Sequence, residues 1–258
     1  MNKKIERGSV MKKILLVLMM LSTLLFSSTV TIAVAANVSY AIDPLIKAFN
    51  KTNPEIKINV VLGSSGKLTA QISHGAPYDI FISANMKYPQ KLYDEKMAIT
   101  KPTVYAQGAL ALLSQKKQDF SKNIEILNQS TIDKIAIGNP KTAPYGVAAV
   151  EALKNAKLYE KLKEKFVYGE SISQTVIYAT SAADVGMIAM SALYSPKMKT
   201  YEKSTQWVEV DEKLYTPINQ GIVLLTHAKE NAEAKAFYDF MLSSKAKVIL
   251  QSYGYKTP

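Results

Sequence analysis

Short apolar or β-branched runs alternate with amphipathic ones along this chain. Runs at 30–35, 56–62, 79–84, 108–114, 134–138, 166–169, 184–190, 205–210 and 221–226 read as strands, most of them too uniformly apolar to face water on one side. Between them, apolar residues recur at helical spacing. Ala41, Leu45, Ile46, Ala48 and Phe49 form one such set, and the stretches 68–74, 87–96, 147–155, 174–180 and 232–243 form others. Strands alternating with helices predict an α/β fold of mostly parallel sheets, whose ligand sites lie beyond the carboxyl ends of the strands. The strongly apolar runs 108–114 and 221–226 bracket the middle third of the chain. They predict two lobes joined by two crossovers, with 29–107 and 221–258 forming the first lobe and 108–220 the second.

Four predicted strands end in a loop that opens a helix. The clearest is Gly63-Ser64-Ser65-Gly66-Lys67-Leu68, where two glycines permit a sharp turn and two hydroxyls can cap a helix or donate to a guest. A nucleotide P-loop would need glycine at Val61 and Ser or Thr at Leu68, so that motif is excluded. The other three starts are Ala35-Ala36-Asn37-Val38, Asn139 through Gly146, and Glu170-Ser171-Ile172-Ser173. The free N–H groups and dipole of a helix start attract anions. Four such starts around one cleft would trap an oxyanion, although each alone is also an ordinary capped turn.

Charge and composition narrow the field. The net charge of +11 is inflated by the first 28 residues, which hold five of the cations and one acid; the remainder carries +7. Those lysines interleave with glutamates along helical stretches and form no basic-aromatic stripe, so a solvated surface is predicted and not a nucleic-acid groove. Arg7 is the only arginine. Downstream of it no guanidinium fork can hold an anion, and neutral donors or lysine must do so. With no cysteine in the chain, disulfides, thiolate metal sites and a lipidated Cys are excluded. Lys12 and Lys13 precede thirteen uncharged residues, 14–26, in the form of a secretory signal peptide starting at Met11. Cleavage is expected near residues 27–29, because cutting after Ala33-Val34-Ala35 would remove the first strand.

No catalytic constellation is visible. His74 and His227 lack partners at metal-ligand spacing, no Gly-x-Ser-x-Gly elbow occurs, and Asp94-Glu95 and Asp211-Glu212 lie in solvated stretches. Tyr145, between Pro144 and Gly146, is placed by its neighbours in a loop where function is expected.

Together Ala35-Ala36-Asn37, the Gly63 to Leu68 loop, Gly75-Ala76-Pro77-Tyr78-Asp79-Ile80-Phe81-Ile82-Ser83-Ala84, Ala143-Pro144-Tyr145-Gly146 and Ser171-Ile172-Ser173-Gln174-Thr175 resemble the periplasmic molybdate-binding proteins of ABC importers, the ModA family. The resemblance spans roughly residues 30–256. It implies a type II periplasmic-binding-protein fold closing on molybdate, and on tungstate too, with no cofactor, no cationic metal and no catalysis. It also implies a monomer, periplasmic localisation and an ABC permease as partner. The contacts it implies are Ala36 and Asn37 at the first loop, Ser64 and Ser65 at the second, Tyr145 at the third and Ile172 at the fourth. One branch of the family has Ser at Asn37 and a Tyr at Ala189; the pair in this chain resembles the other branch. The Asn37 side-chain amide is then expected to supply the missing donor. A receptor for a smaller oxyanion such as sulfate, and an enzyme or effector domain on the same fold, are the alternatives.

Overall fold

The structure, a computed structural model, describes residues 29–258, so the expected signal segment 1–28 lies outside the described residues. Strands β1 (Thr29–Ala35), β2 (Lys57–Gly63), β3 (Ile80–Ile82) and β4 (Thr103–Gly108) belong to the first lobe. Its helices in this part are α1 (Ile42–Asn50), α2 (Ser65–Ser73) and α3 (Lys87–Asp94). The second lobe holds β5 (Leu110–Leu113), β6 (Ile135–Gly138), β7 (Phe166–Gly169), β8 (Val185–Ala189) and β9 (Trp207–Glu209). Its helices are α4 (Pro144–Asn155), the short α5 (Tyr159–Leu162) and α6 (Ile172–Ser181). The chain then returns to the first lobe with β10 (Ile218–Leu224), α7 (Ala232–Met241) and α8 (Ser244–Ser252). The two five-stranded sheets have the orders β2-β1-β3-β10-β4 and β7-β6-β8-β5-β9.

Register is what assembles the site. Parallel pairing of β1 with β2 puts Ala35 opposite Gly63, so the first two loops leave the sheet side by side. Parallel pairing of β6 with β7 puts Gly138 opposite Gly169 and does the same for the other two. The sheets are mixed, not mostly parallel. β10 runs antiparallel to β3 and β4, and β5 antiparallel to β8 and β9. A strand arriving from the other lobe needs no helical crossover, so the parallel constraint does not apply to it.

The return crossing lies earlier than the apolar run suggests, and Gly108, expected in the second lobe, is the last residue of β4 in the first sheet. The outward crossing is the step from Gly108 to Leu110, and the return lies between Glu209 and Ile218. Residues 218–220, expected in the second lobe, are therefore in the first sheet, where Ile218 pairs with Gly108. The two crossings run together, and the Leu110 N–H donates to the Tyr215 hydroxyl at 3.0 Å.

Each sheet is packed on both faces, which explains the uniformly apolar strands. Val30, Ile32 and Val34 of β1 pack with Leu45, Phe49 and Phe237, while Ala33 faces Leu68, Ile72 and Phe81. Phe49 meets Phe237 edge-on with centroids 5.1 Å apart, a geometry worth about 0.5–1.5 kcal/mol beyond area burial. In the second lobe Leu110, Leu112, Ile135, Ile137 and Met187 pack under α4, and Ala111, Leu113 and Ile188 face Val176 and Ala179 of α6.

Candidate anion-binding site

The four helix starts converge between the lobes, and three begin earlier than periodicity predicts. Helix α2 opens at Ser65, α4 at Pro144 and α6 at Ile172. Their first turns face the cleft instead of a core, so the apolar pattern appears only one turn later. After β1 the chain enters a 3-10 turn, Ala36–Tyr40, before α1. Tyr145 thus lies in the first turn of a helix and is fully buried, not in an open loop.

The structure brings Ala36, Asn37, Ser64, Ser65, Tyr145 and Ile172 to one small cavity of about 10 Å³. Ala35, Ala84, Ala143 and Pro144 complete its wall. These small apolar residues carried no chemical signal in the sequence. That is room for about one water-sized sphere, far below the roughly 300–1,000 Å³ of pockets for organic ligands.

Its serine hydroxyls and the backbone of its helix starts supply donors. Ser64 is the cap residue of α2 by position, yet its hydroxyl makes no cap bond and is buried without a partner. The Ser65 hydroxyl accepts from the Ala84 N–H at 3.0 Å, which leaves its own proton to donate. The first N–H groups of each helix have no intrahelical acceptor. No carboxylate and no lysine lines the cavity. Outside it, at the rim, Lys67 pairs with Glu170 at 2.5 Å, and the Gly66 N–H donates to the Thr142 carbonyl at 2.9 Å. Both contacts join the lobes across the mouth.

The Asn37 side chain differs from expectation. Its Nδ2 donates to Gln220 Oε1 at 2.8 Å and to the Tyr255 hydroxyl at 2.9 Å, so both amide hydrogens are engaged inside the protein. What remains is Oδ1, an acceptor, buried without a partner. Asn37 therefore offers an anion its backbone N–H and not its amide. The reason lies behind the pocket, where the Tyr105 hydroxyl donates to Gln220 Oε1 at 2.7 Å and Gln220 Nε2 donates to the Tyr145 hydroxyl at 2.9 Å. The Asn37 carbonyl accepts from Ser191 and from Tyr255, each at 2.9 Å, and the Ala36 carbonyl accepts from Ser173 at 2.8 Å. Burial pushes the Tyr105, Tyr145 and Tyr255 phenols above their ordinary range; at Tyr145 the neighbouring Gln220 and Asn37 amides oppose the rise.

Gln220 and Tyr255 are the residues sequence reading missed. The two adjacent amides, Asn219 and Gln220, in the otherwise apolar strand Ile218–Leu224 are the available signal for the first; nothing marks the second. Ala189 is buried at the end of β8, paired with Leu110. His227 lies elsewhere, with Nδ1 2.9 Å from the buried Asp79 carboxylate, and His74 Nδ1 contacts the Ala70 carbonyl at 2.7 Å.

Comparison with known proteins fits this geometry. The family profile of bacterial extracellular solute-binding proteins matches residues 30–256. The chain is 35% identical over 231 residues to the molybdate-binding protein ModA of Azotobacter vinelandii, covering 89% of this chain and 90% of that one. It is 37% identical over 202 residues to ModA of Rhodobacter capsulatus, covering 78% and 77%. The solved structure of the A. vinelandii periplasmic molybdate-binding protein superposes with a TM-score of 0.83 at 31% identity, covering 89% of this chain and 99% of the other. With its two lobes, its paired crossings and its donor-lined cavity, the chain belongs to the bacterial extracellular solute-binding proteins, among relatives that are ModA proteins and not enzymes.

Proposed function

We propose that this protein captures molybdate, and tungstate with it, between its lobes and hands the ion to the permease of an ABC importer. The observation that carries the reading is the buried, partnerless Ser64 hydroxyl beside Ser65 in a small cavity walled by four helix starts and free of carboxylates. A dianion there meets the Ser64 and Ser65 hydroxyls and the free N–H groups of the helix starts, and no carboxylate, with each hydrogen bond strengthened by the low local dielectric. Ala36, Asn37, Ser65, Tyr145 and Ile172 contribute backbone N–H groups in this reading, and Ser64 and Ser65 add their hydroxyls. The protein acts as an exported monomer in the periplasm, its signal segment removed near residues 27–29. Hydrogen phosphate is disfavoured because no carboxylate lines the cavity to take its proton, and sulfate because it is the smaller tetrahedron.

A thermal-shift titration tests the reading. Molybdate at a thousandfold excess over Kd is expected to add about 4 kcal/mol of stability, seen as a large rise in Tm. Tungstate should act alike, with sulfate and phosphate having little effect. Equal shifts with sulfate and molybdate would remove size selection, and no shift with molybdate would overturn the assignment.

A further inference from the structure

Gln220 is fully buried in β10, and its one carboxamide touches binding residues of both lobes. Oε1 accepts from Asn37 of the first lobe at 2.8 Å and from Tyr105 at 2.7 Å; Nε2 donates to Tyr145 of the second lobe at 2.9 Å. The contact sits at the pivot. A Cβ on Gly108, at the outward crossing, would collide with the Tyr145 hydroxyl and lie 2.6 Å from Gln220 Nε2. Glycine is what lets this hydrogen bond form there.

Donor and acceptor accounting fixes the orientation. Both hydrogens of Asn37 Nδ2 are used, on Gln220 and on Tyr255, and Gln220 Oε1 already has two donors. Turning the Gln220 amide over would set one NH2 against another. Nε2 must therefore face Tyr145, whose oxygen becomes an acceptor and whose proton must leave in another direction. The acceptor of this cluster left without a donor is Asn37 Oδ1. The leftover donor and the leftover acceptor belong to Tyr145 and Asn37, residues of opposite lobes that both line the cavity.

We propose that Gln220 is a positioning residue for the anion site. By accepting from Asn37 and donating to Tyr145, its amide sets the lobes in the register at which helix starts from both address one ion. This rests on the anion-binding reading above.

Calorimetry with sodium molybdate on the parent and four variants decides it. Gln220→Glu keeps the shape but, as a carboxylate, cannot donate to Tyr145. It should bind at least about tenfold more weakly at pH 8 and recover toward the parent as falling pH protonates the introduced carboxylate and restores a donor. The titratable groups facing that position are the phenols of Tyr105, Tyr145 and Tyr255, all pushed above their ordinary range and so neutral throughout. Gln220→Leu should also lose about tenfold or more, Tyr145→Phe a similar amount, and the double variant little beyond either single change. A folded Gln220→Leu protein that binds like the parent overturns the inference. So does full additivity in the double variant, or a Gln220→Glu loss that ignores pH while the parent is constant. Should Gln220→Leu fail to fold, the pH profile of Gln220→Glu decides alone. A parent that takes up no molybdate brings down the functional reading and this inference together; a binding parent with unaffected variants brings down this inference only.

Discussion

At the rim of the cleft the lobes meet through Lys67 and Glu170, both half exposed, and through one backbone bond from Gly66 to Thr142. Beneath the cavity they meet through Asn37, Gln220, Tyr145 and Ser191, all buried. The two regions use the same kind of bond with different consequences. A solvated ion pair gives back in lost hydration and side-chain entropy most of what it gains, whereas a buried hydrogen bond cannot be exchanged for water and its loss leaves an orphaned polar group. The floor should set where the lobes stop, and the rim should only modulate how long they stay closed.

The largest expected effect comes from the floor. Asn37→Ala strips Gln220 Oε1 of one donor and the Tyr255 hydroxyl of the amide that donates to it, leaving only its bond to the backbone carbonyl of residue 37, and should lower stability by about 1–3 kcal/mol and weaken molybdate binding as well. Denaturant unfolding and calorimetry measure the two losses; unchanged values for both would remove the floor from the account. A smaller effect is expected from Gly66→Ala. Its Cβ would lie 2.8 Å from the Tyr88 hydroxyl and 3.0 Å from the Thr142 backbone, so full closure requires the rim to give way. Small-angle scattering should show a bound form less compact than the parent's, and identical curves would mean the rim yields freely.

The smallest effect belongs to Lys67→Met. Glu170 is held below its ordinary carboxylate value first by the hydrogen bond from Lys67 and then by its charge. Because the folded value is the lower one, the contribution of this pair is complete above the ordinary carboxylate range and disappears as pH falls through the folded value. At neutral pH the variant should bind molybdate within about twofold of the parent, with even that difference erased by salt. A loss as large as that of Asn37→Ala would reverse the ranking of rim and floor.

Much of the cleft wall was legible because ligand loops carry local signatures. Gly63 to Leu68 announces a strand ending and a helix starting whatever surrounds it, and Pro144 suits the first position of a helix. Hydrophobic periodicity nonetheless places three of the helix starts two or three residues late, since it reports only turns that face a core. The apolar run 221–226 misplaces the return crossing for a related reason. Apolar runs mark burial, and β10 is apolar because it lies inside the first sheet, not because it spans the lobes.

The sequence by itself determined the alternation of strand and helix, the four helix starts, and the absence of arginine downstream of Arg7 and of cysteine, which leaves neutral donors or lysine to hold an anion. Each is a property of neighbouring residues or of composition. The direction of the Asn37 amide was decided only in three dimensions. Residues 183 and 218 positions away claim its two hydrogens and convert an expected donor into a scaffold. A side chain with both donor and acceptor functions has no fixed role until its partners are placed, and here those partners come from a returning strand and the end of the chain.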